Sequence, residues 1–119
     1  MTTSQIRAKR GEVWLVRFRF TDLSSTKVRP AVLWAVFGED AVVMGVFSRV
    51  PARPLRETWV LIEEEAKDFS QTGLAKTSVV KAEKLAIVHC SVLQRRLGRM
   101  SSELMSRTAI ALRKALHLD

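Results

Sequence analysis

The chain of 119 residues is 47% hydrophobic, which fits one folded domain over residues 1–119 and argues against global disorder. Its longest apolar stretch, residues 30–38, is far shorter than the roughly 20 residues of a membrane span, and its polar, basic N-terminus lacks the apolar core of a secretory signal. The 20 Lys and Arg residues against 12 Asp and Glu residues give a net charge of +8, which favours a polyanionic partner.

The charge falls into three blocks. Residues 1–56 carry 10 basic and 4 acidic side chains (+6), residues 57–75 carry 1 and 5 (−4), and residues 76–119 carry 9 and 3 (+6). Arginine outnumbers lysine by 13 to 7, and its planar guanidinium suits phosphate recognition. Nucleic acid is therefore one interpretation of the charge, and a solvated surface rich in arginine is the other.

The first half of the chain predicts four strands. Period-two alternation indicates a half-buried strand over residues 12–20, and a polar loop follows over residues 21–27. An apolar run after Arg29 predicts a buried strand with Pro30 at its start or on an edge. Further segments are assigned from composition: a turn at 38–40, a strand at 41–47, a loop at 48–56 and a strand at 57–62.

The second half changes period. The acidic segment 63–68 predicts a short helix or turn, residues 78–88 one or two short strands, and residues 93–97 a helical turn closed at Gly98. Ser101 or Ser102 is the expected N-cap of an amphipathic helix. Its apolar stripe comprises Leu104, Thr108, Leu112 and Leu116, whereas Arg107, Arg113 and Lys114 fall on the outer face, where charge favours solubility. Strands followed by a helix predict an α+β domain, a small antiparallel barrel or sandwich with appended helices.

Several common functional motifs are missing from the sequence. The five glycines are scattered, so no phosphate-binding glycine loop exists, and no nucleophile elbow surrounds a serine. His89, Cys90 and a distant His117 do not form a metal-ligand cluster, so no metal or other cofactor is expected. The single cysteine cannot form an internal disulfide, which fits a reducing cytoplasm. Trp14, Trp34 and Trp59 lie within strand patterns and are interpreted as core.

Four ordered segments carry a resemblance to a known family. Arg10-Gly11-Glu12-Val13-Trp14 comes first, Lys27-Val28-Arg29-Pro30-Ala31 follows, and a Gly73-Leu74 segment ending in Ser78-Val79-Val80 and the Leu97-Gly98-Arg99-Met100-Ser101 turn come later. Together they resemble the MazF/PemK toxin family over residues 10–118. The resemblance implies a small SH3-like β-barrel with a C-terminal α-helix, usually a homodimer, with residues 1–9 flexible. It also implies a cytoplasmic, bacterial or archaeal toxin of a toxin–antitoxin pair that cleaves single-stranded RNA at selected sequences without a metal, and so inhibits growth.

The resemblance places the catalytic residues. The arginine of the family's Arg-Pro pair is Arg29, the threonine at the end of the third strand aligns with Ser48, and an Arg-x-Asp pair of the PemK branch aligns with Lys81 and Glu83. The last three positions depart conservatively from the family pattern. Because arginine is a poor proton donor, we expect Arg29 to stabilise transition-state charge, Glu83 to act as the general base, and Ser48 and Lys81 to hold the phosphate.

The substrate and partners are likewise expectations. The loop of residues 21–28 should cover an RNA channel whose candidate lining residues are Lys27, Arg17, Arg19, Arg49 and Arg53. A cognate antitoxin with an acidic, partly disordered tail should compete for the same basic groove. Two alternatives remain open: a nucleic-acid-binding barrel without catalysis, and a toxin-fold protein that acts by binding a protein such as gyrase.

Overall fold

Six strands and one α-helix form the fold in the computed structural model, which describes residues 7–19, 26–52 and 54–118. They are β1 (Glu12–Arg19), β2 (Thr26–Phe37), β3 (Asp40–Phe47), β4 (Trp59–Ile62), β5 (Ser78–His89), β6 (Leu93–Arg99) and α1 (Ser102–Ala115). Two short 3-10 turns, Ser70–Thr72 and Cys90–Val92, lie before β5 and β6. The alternating and apolar runs therefore form strands where the sequence predicts them in the first half, and residues 78–89 form one strand rather than two.

All strands belong to one antiparallel sheet of order β4-β5-β3-β2-β1-β6. In the described part of the chain the edge strands β4 and β6 do not pair with each other, so the expected closure into a barrel is not confirmed. The α+β class is confirmed, as a six-stranded antiparallel sheet with one C-terminal helix.

Each face of the sheet buries its own apolar cluster. Neighbouring residues of β2 alternate between the clusters, with Val32 in one and Leu33 in the other, because successive side chains of a strand point to opposite faces. The larger cluster also takes Leu104 and Leu112 of α1, so the helix covers that face. The smaller cluster includes Val16 and is bordered by the turn before β6. The site described below lies where β2, β3 and β5 adjoin, and its cleft is lined in part by Val46 and Leu74 of the larger cluster.

Pro30 lies inside β2 rather than at its start. The strand begins four residues earlier, and Pro30 pairs with Leu15 of β1. Pairing of β2 with β3 begins only at Ala31, opposite Gly45. The proline, which has no N–H group to donate, therefore lies where β2 has a partner strand on one side only.

The helical turn predicted for residues 93–97 is wrong, because this segment is the edge strand β6. The spacing of Leu93 and Leu97 fits one face of a helix. In the structure, however, Leu93 joins the smaller cluster and Leu97 packs against the larger one. Two register shifts in the pairing of β6 with β1 turn the strand between these residues. Gly98 does not close a helix; a Cβ there would lie 2.2 Å from the backbone oxygen of Gln71, so glycine permits the 3-10 turn to approach β6.

The C-terminal helix begins as predicted. Ser101 is the N-cap: its hydroxyl accepts a hydrogen bond from the Leu104 N–H (3.0 Å) and donates one to Asp68 (2.6 Å). The predicted stripe is buried as far as Leu112, but the helix ends at Ala115 and Leu116 is exposed. None of the helices in the described part of the chain has the length and apolar content needed to span a membrane.

The outer-face cations of α1 are not all solvated charges. Arg107 donates a hydrogen bond to the backbone oxygen of Leu61 in β4 (3.2 Å), and Lys114 donates one to Glu57 (2.7 Å). These two contacts join the helix to the segment that carries β4. The assignment of these side chains to solubility is therefore incomplete for Arg107 and Lys114.

Candidate active site

Arg29 lies beside Phe47 at one end of the sheet. Arg29 lies two residues before Ala31 in β2, and Phe47 lies two residues after Gly45, the partner of Ala31 in β3. The guanidinium carbon is 5.3 Å from the centre of the Phe47 ring, which is within the range of a cation–π contact. A Cβ at Gly45 would lie 2.8 Å from the nearest Phe47 ring atom, so the absence of a side chain at position 45 lets this ring lie across its own strand.

A cleft of about 180 Å³ opens beside Arg29. It is lined by Arg29, Pro30, Val46, Ser48, Leu74, Ala75, Lys76 and Ser78. The tertiary structure thus brings together two residues predicted from sequence, Arg29 and Ser48. It adds Lys76 and Ser78, to which the sequence reasoning gave no role, although the quoted Gly73–Ser78 motif contains both.

The rim of this cleft is held by a carboxylate of the acidic segment. Glu64 accepts a hydrogen bond from the Thr77 N–H (3.1 Å), and the Thr77 hydroxyl accepts one from the Glu64 N–H (3.0 Å). The Ser78 hydroxyl donates to the backbone oxygen of Lys76 (2.8 Å). The acidic segment forms turns, and its Glu64 fixes the chain that carries Lys76 and Ser78.

Lys81 lies between two aromatic rings. In β5, Val79 is opposite Phe47 of β3, whereas Lys81 is opposite Trp59 of β4. The Lys81 ammonium nitrogen is 4.4 Å from the centre of the Phe47 ring and 4.5 Å from that of Trp59. The pairing of β5 with β3 jumps between Val80 and Leu85, which leaves Lys81 in a bulged segment that carries its side chain across both rings.

Glu83, two residues further along β5, is enclosed by donors. Its Oε1 accepts a hydrogen bond from Thr58 (2.6 Å), and its Oε2 accepts from Trp59 Nε1 (2.7 Å) and Arg56 (2.9 Å). Burial raises the pKa of the Glu83 carboxyl, but the hydrogen bonds from Thr58, Trp59 and Arg56 outweigh burial, and the net pKa is lowered. A carboxylate stabilised in this way holds its neighbours in place and accepts a further proton poorly.

The side chains named so far form a cation–aromatic row, defined here as Arg29, Phe47, Lys81, Trp59 and Arg56. The row crosses strands β2, β3, β5 and β4 and continues into the loop before β4. The Arg56 guanidinium carbon lies 5.3 Å from the centre of the Trp59 ring. Sequence reasoning missed Phe47 and Arg56, and it interpreted Trp59 as core, whereas Trp59 is partly exposed and belongs to neither apolar cluster of the described residues.

Three of the other predicted RNA-lining residues are described by the structure, and none of the three lines the cleft. Arg17, Lys27 and Arg49 are exposed and lie outside its lining. The side chain of Arg19, residue Arg53 and loop residues 21–25 fall outside the described residues, as do residues 1–6 of the segment expected to be flexible.

His89 and Cys90 have ordinary surroundings far from the row. The His89 ring contacts Ser91 (2.9 Å) and Glu39 (3.2 Å). Burial raises the pKa of the Cys90 thiol, and the charges of Asp40 and Glu39 raise it further, so little thiolate forms at neutral pH. Over the ranges that the structure describes, no three His, Cys, Asp or Glu side chains are placed to hold a metal ion.

Comparison with protein families finds one match. A family model described as the PemK-like, MazF-like toxin of type II toxin–antitoxin systems matches residues 9–116. A search of curated protein sequences found no match.

Solved structures of similar fold match nearly the whole chain. The Mycobacterium tuberculosis toxin MazF-mt6 has a TM-score of 0.70 at 21% identity, covering 91% of this chain and 98% of that one. An endoribonuclease in complex with its cognate antitoxin, from a mycobacterial species, has a TM-score of 0.69 at 20% identity, covering 94% and 97%. A MazE–MazF structure from Deinococcus radiodurans has a TM-score of 0.70 at 14% identity, covering 97% and 100%. At these identities the likeness establishes the fold alone.

Proposed function

We propose a function from one premise, that the chain belongs to the PemK-like, MazF-like toxin family of type II toxin–antitoxin systems. In this proposal the chain is an endoribonuclease that cleaves single-stranded RNA at selected sequences without a metal, and so inhibits growth. The observation that carries the proposal is the shared cleft of Arg29 and Ser48, with Lys81 held over the same Phe47 ring that Arg29 contacts. A cation and a hydroxyl in one cleft, with a second cation on the far contact of the same ring, suit a phosphate.

The proposed reaction uses the substrate's own 2′-hydroxyl. Its oxygen gives up a proton to water and attacks the adjacent phosphorus, the bond to the 5′-oxygen breaks, and the leaving 5′-oxygen takes up a proton from water. The products are a 2′,3′-cyclic phosphate and a 5′-hydroxyl. DNA lacks the nucleophile and is not cleaved. Arg29 stabilises the charge that develops on the phosphorane, while Ser48 and Lys81 bind the phosphate oxygens. Lys76 and Ser78, which line the same cleft, extend the set of donors.

Glu83 takes a positioning role in this proposal. As the general base it would have to accept the 2′-hydroxyl proton, yet three donors already occupy its two oxygens and its pKa is lowered. It can act as the base only if RNA binding displaces one of those donors. Its contacts instead hold Trp59 and Arg56 in the row.

The proposed partners follow from the family and from two names among the similar structures. One mycobacterial endoribonuclease was solved with its cognate antitoxin, and the Deinococcus protein was solved as MazE–MazF. By analogy, an antitoxin with an acidic, partly disordered tail binds this chain over the cation–aromatic row and excludes RNA. We further propose that the toxin is a homodimer that acts in the cytoplasm.

The test is RNA cleavage in the presence of EDTA. A long single-stranded RNA is incubated with the wild-type chain, with Arg29→Ala, and with Arg113→Ala as a matched control that removes an exposed arginine of α1. We expect cleavage by wild type and Arg113→Ala, cyclic phosphate ends on the products, and a loss of about 10²–10³-fold in kcat for Arg29→Ala.

Three results would contradict the proposal in different ways. Intact RNA that still binds wild-type protein indicates a nucleic-acid-binding domain without catalysis. Intact RNA with no binding favours a protein target such as gyrase. Cleavage that survives in Arg29→Ala places the catalytic centre elsewhere.

A further inference from the structure

We propose that Phe47 and Trp59 are positioning residues: their rings clamp the Lys81 ammonium at the cleavage site and leave its charge available to the RNA phosphate. The inference rests on the proposed ribonuclease function and adds two residues that the family motifs quoted above do not include. In this inference the two aromatic residues of the cation–aromatic row hold Lys81, the central cation of the row.

The contacts of Lys81 carry the argument. Its ammonium nitrogen lies 4.4 Å and 4.5 Å from the two ring centres. In the part of the chain that the structure describes, this nitrogen has no hydrogen bond or ion pair. Glu83 is two residues away on the same strand, but its oxygens accept from Thr58, Trp59 and Arg56 instead.

A carboxylate and an aromatic ring would differ in how much of the lysine charge they leave for the RNA. A carboxylate would hold a lysine equally well, but it would cancel the charge that attracts phosphate. An aromatic face attracts a cation through its quadrupole and leaves the net charge at +1. Lysine is a flexible point charge without the fixed fork of arginine, so it needs such external support more than the arginine of the family pattern would.

Both rings are themselves fixed. The indole N–H of Trp59 donates to Glu83 at 2.7 Å, which sets the orientation of that ring. The Phe47 ring lies across Gly45, where no side chain displaces it. Arg29 and Lys81 both contact Phe47, so the same ring links Lys81 to the arginine that lines the cleft.

Lysine side-chain NMR tests the clamp without RNA. Protons above an aromatic face are shielded, so in ¹³C-lysine-labelled protein we expect the ε-protons of Lys81, assigned with Lys81→Met, to lie upfield of those of exposed Lys84. Trp59→Leu should move the Lys81 signal toward that of Lys84. A Lys81 signal at the position of Lys84 in the wild-type protein would overturn the clamp.

Kinetics test the positioning role. Trp59→Leu should lower kcat about 3- to 30-fold with little change in KM, and Trp59→Phe, which keeps a ring, should recover part of the loss. In a Lys81→Met background, Trp59→Leu should cause no further loss, because the cation it positions is gone. The control is Phe37→Leu, which removes an exposed ring distant from the cleft and should leave kcat unchanged.

The outcomes separate the two proposals. An upfield Lys81 signal with an unchanged kcat in Trp59→Leu overturns the positioning role, and so does a full additional loss in the Lys81→Met background. A wild-type chain that does not cleave RNA overturns the proposed function and the positioning role together, while the NMR experiment still decides whether the clamp exists.

Discussion

Replacing Glu83 with glutamine separates a positioning residue from a general base. The change keeps the size of the side chain and one acceptor oxygen, but it removes the charge and turns an amide NH₂ toward a donor. One hydrogen bond to the charged carboxylate is lost, a cost of about 1.5–3 kcal/mol. The pair with Arg56, whose side chain is 68% exposed, adds only about 0.2–1 kcal/mol. We expect a total loss of about 2–4 kcal/mol, which is a fall in Tm of roughly 8–16 °C.

Activity gives the sharper distinction. A base would lose about 10²–10⁴-fold in kcat on this substitution. A residue that holds Trp59, and through it Lys81, should lose only about 3- to 30-fold. The acid side of the pH dependence of kcat/KM should keep its shape in Glu83→Gln, because the group that titrates there is not Glu83.

The matched control is Glu57→Gln. Glu57 lines a pocket together with Glu83, but its side chain is 76% exposed and, within the described ranges, pairs with Lys114 of α1 alone. This variant should match the wild type in both Tm and kcat. A loss above 10²-fold in Glu83→Gln, with the acid limb of the pH profile removed, would refute the positioning role and restore Glu83 as the base.

Three further predictions concern the fold. Ser101→Ala removes the helix cap and should lower the free energy of unfolding by about 1–2 kcal/mol in urea titration, whereas an equal loss in the exposed neighbour Ser102→Ala would argue against capping. Gly73→Ala places a Cβ 2.0 Å from the backbone of β6, at a φ of 76°, and should prevent soluble expression. Gly38 has a φ of 60° but open space around it, so Gly38→Ala should lower the free energy of unfolding by only about 1 kcal/mol. Similar yields of the two variants would contradict the packing argument. Burial raises the pKa of Glu12, but hydrogen bonds from Trp14, the Lys9 N–H and Arg96 lower it overall, so its stabilisation is present at neutral pH and is lost as pH falls below the usual glutamate pKa of about 4.3. Urea titrations of wild type and Glu12→Gln should therefore converge toward pH 3, and a constant difference across the pH range would show that the carboxylate charge is not involved.

The charge pattern acquires a different meaning from the structure. The acidic block does not simply separate two basic blocks, because Glu64 holds the rim of the cleft and Asp68 accepts from the cap residue Ser101. Local carboxylates therefore stabilise turns. Among the described basic residues, Arg29, Lys76, Lys81 and Arg56 alone lie in the cleft or in the row beside it.

Features that depend on neighbours along the chain can be predicted from the sequence alone. Alternation over β1, the apolar run of β2, the cap at Ser101 and the stripe of α1 all follow from local geometry, and all are present. The four ordered segments together also identified the family, and the second of them contains Arg29, a member of the cleft. These patterns specify which face a side chain takes within its own element.

Which strands become neighbours is visible only in the folded chain. Phe47, Trp59 and Lys81 come from three strands, and the order β4-β5-β3 places one ring on each side of the lysine. Bulges decided the rest: the register jump in β5 carries Lys81 across the rings, and the shifts in β6 send Leu93 and Leu97 to opposite faces. The physical reason is that strand pairing joins residues distant in sequence, and one inserted residue reverses every side chain beyond it, which a periodic pattern does not record.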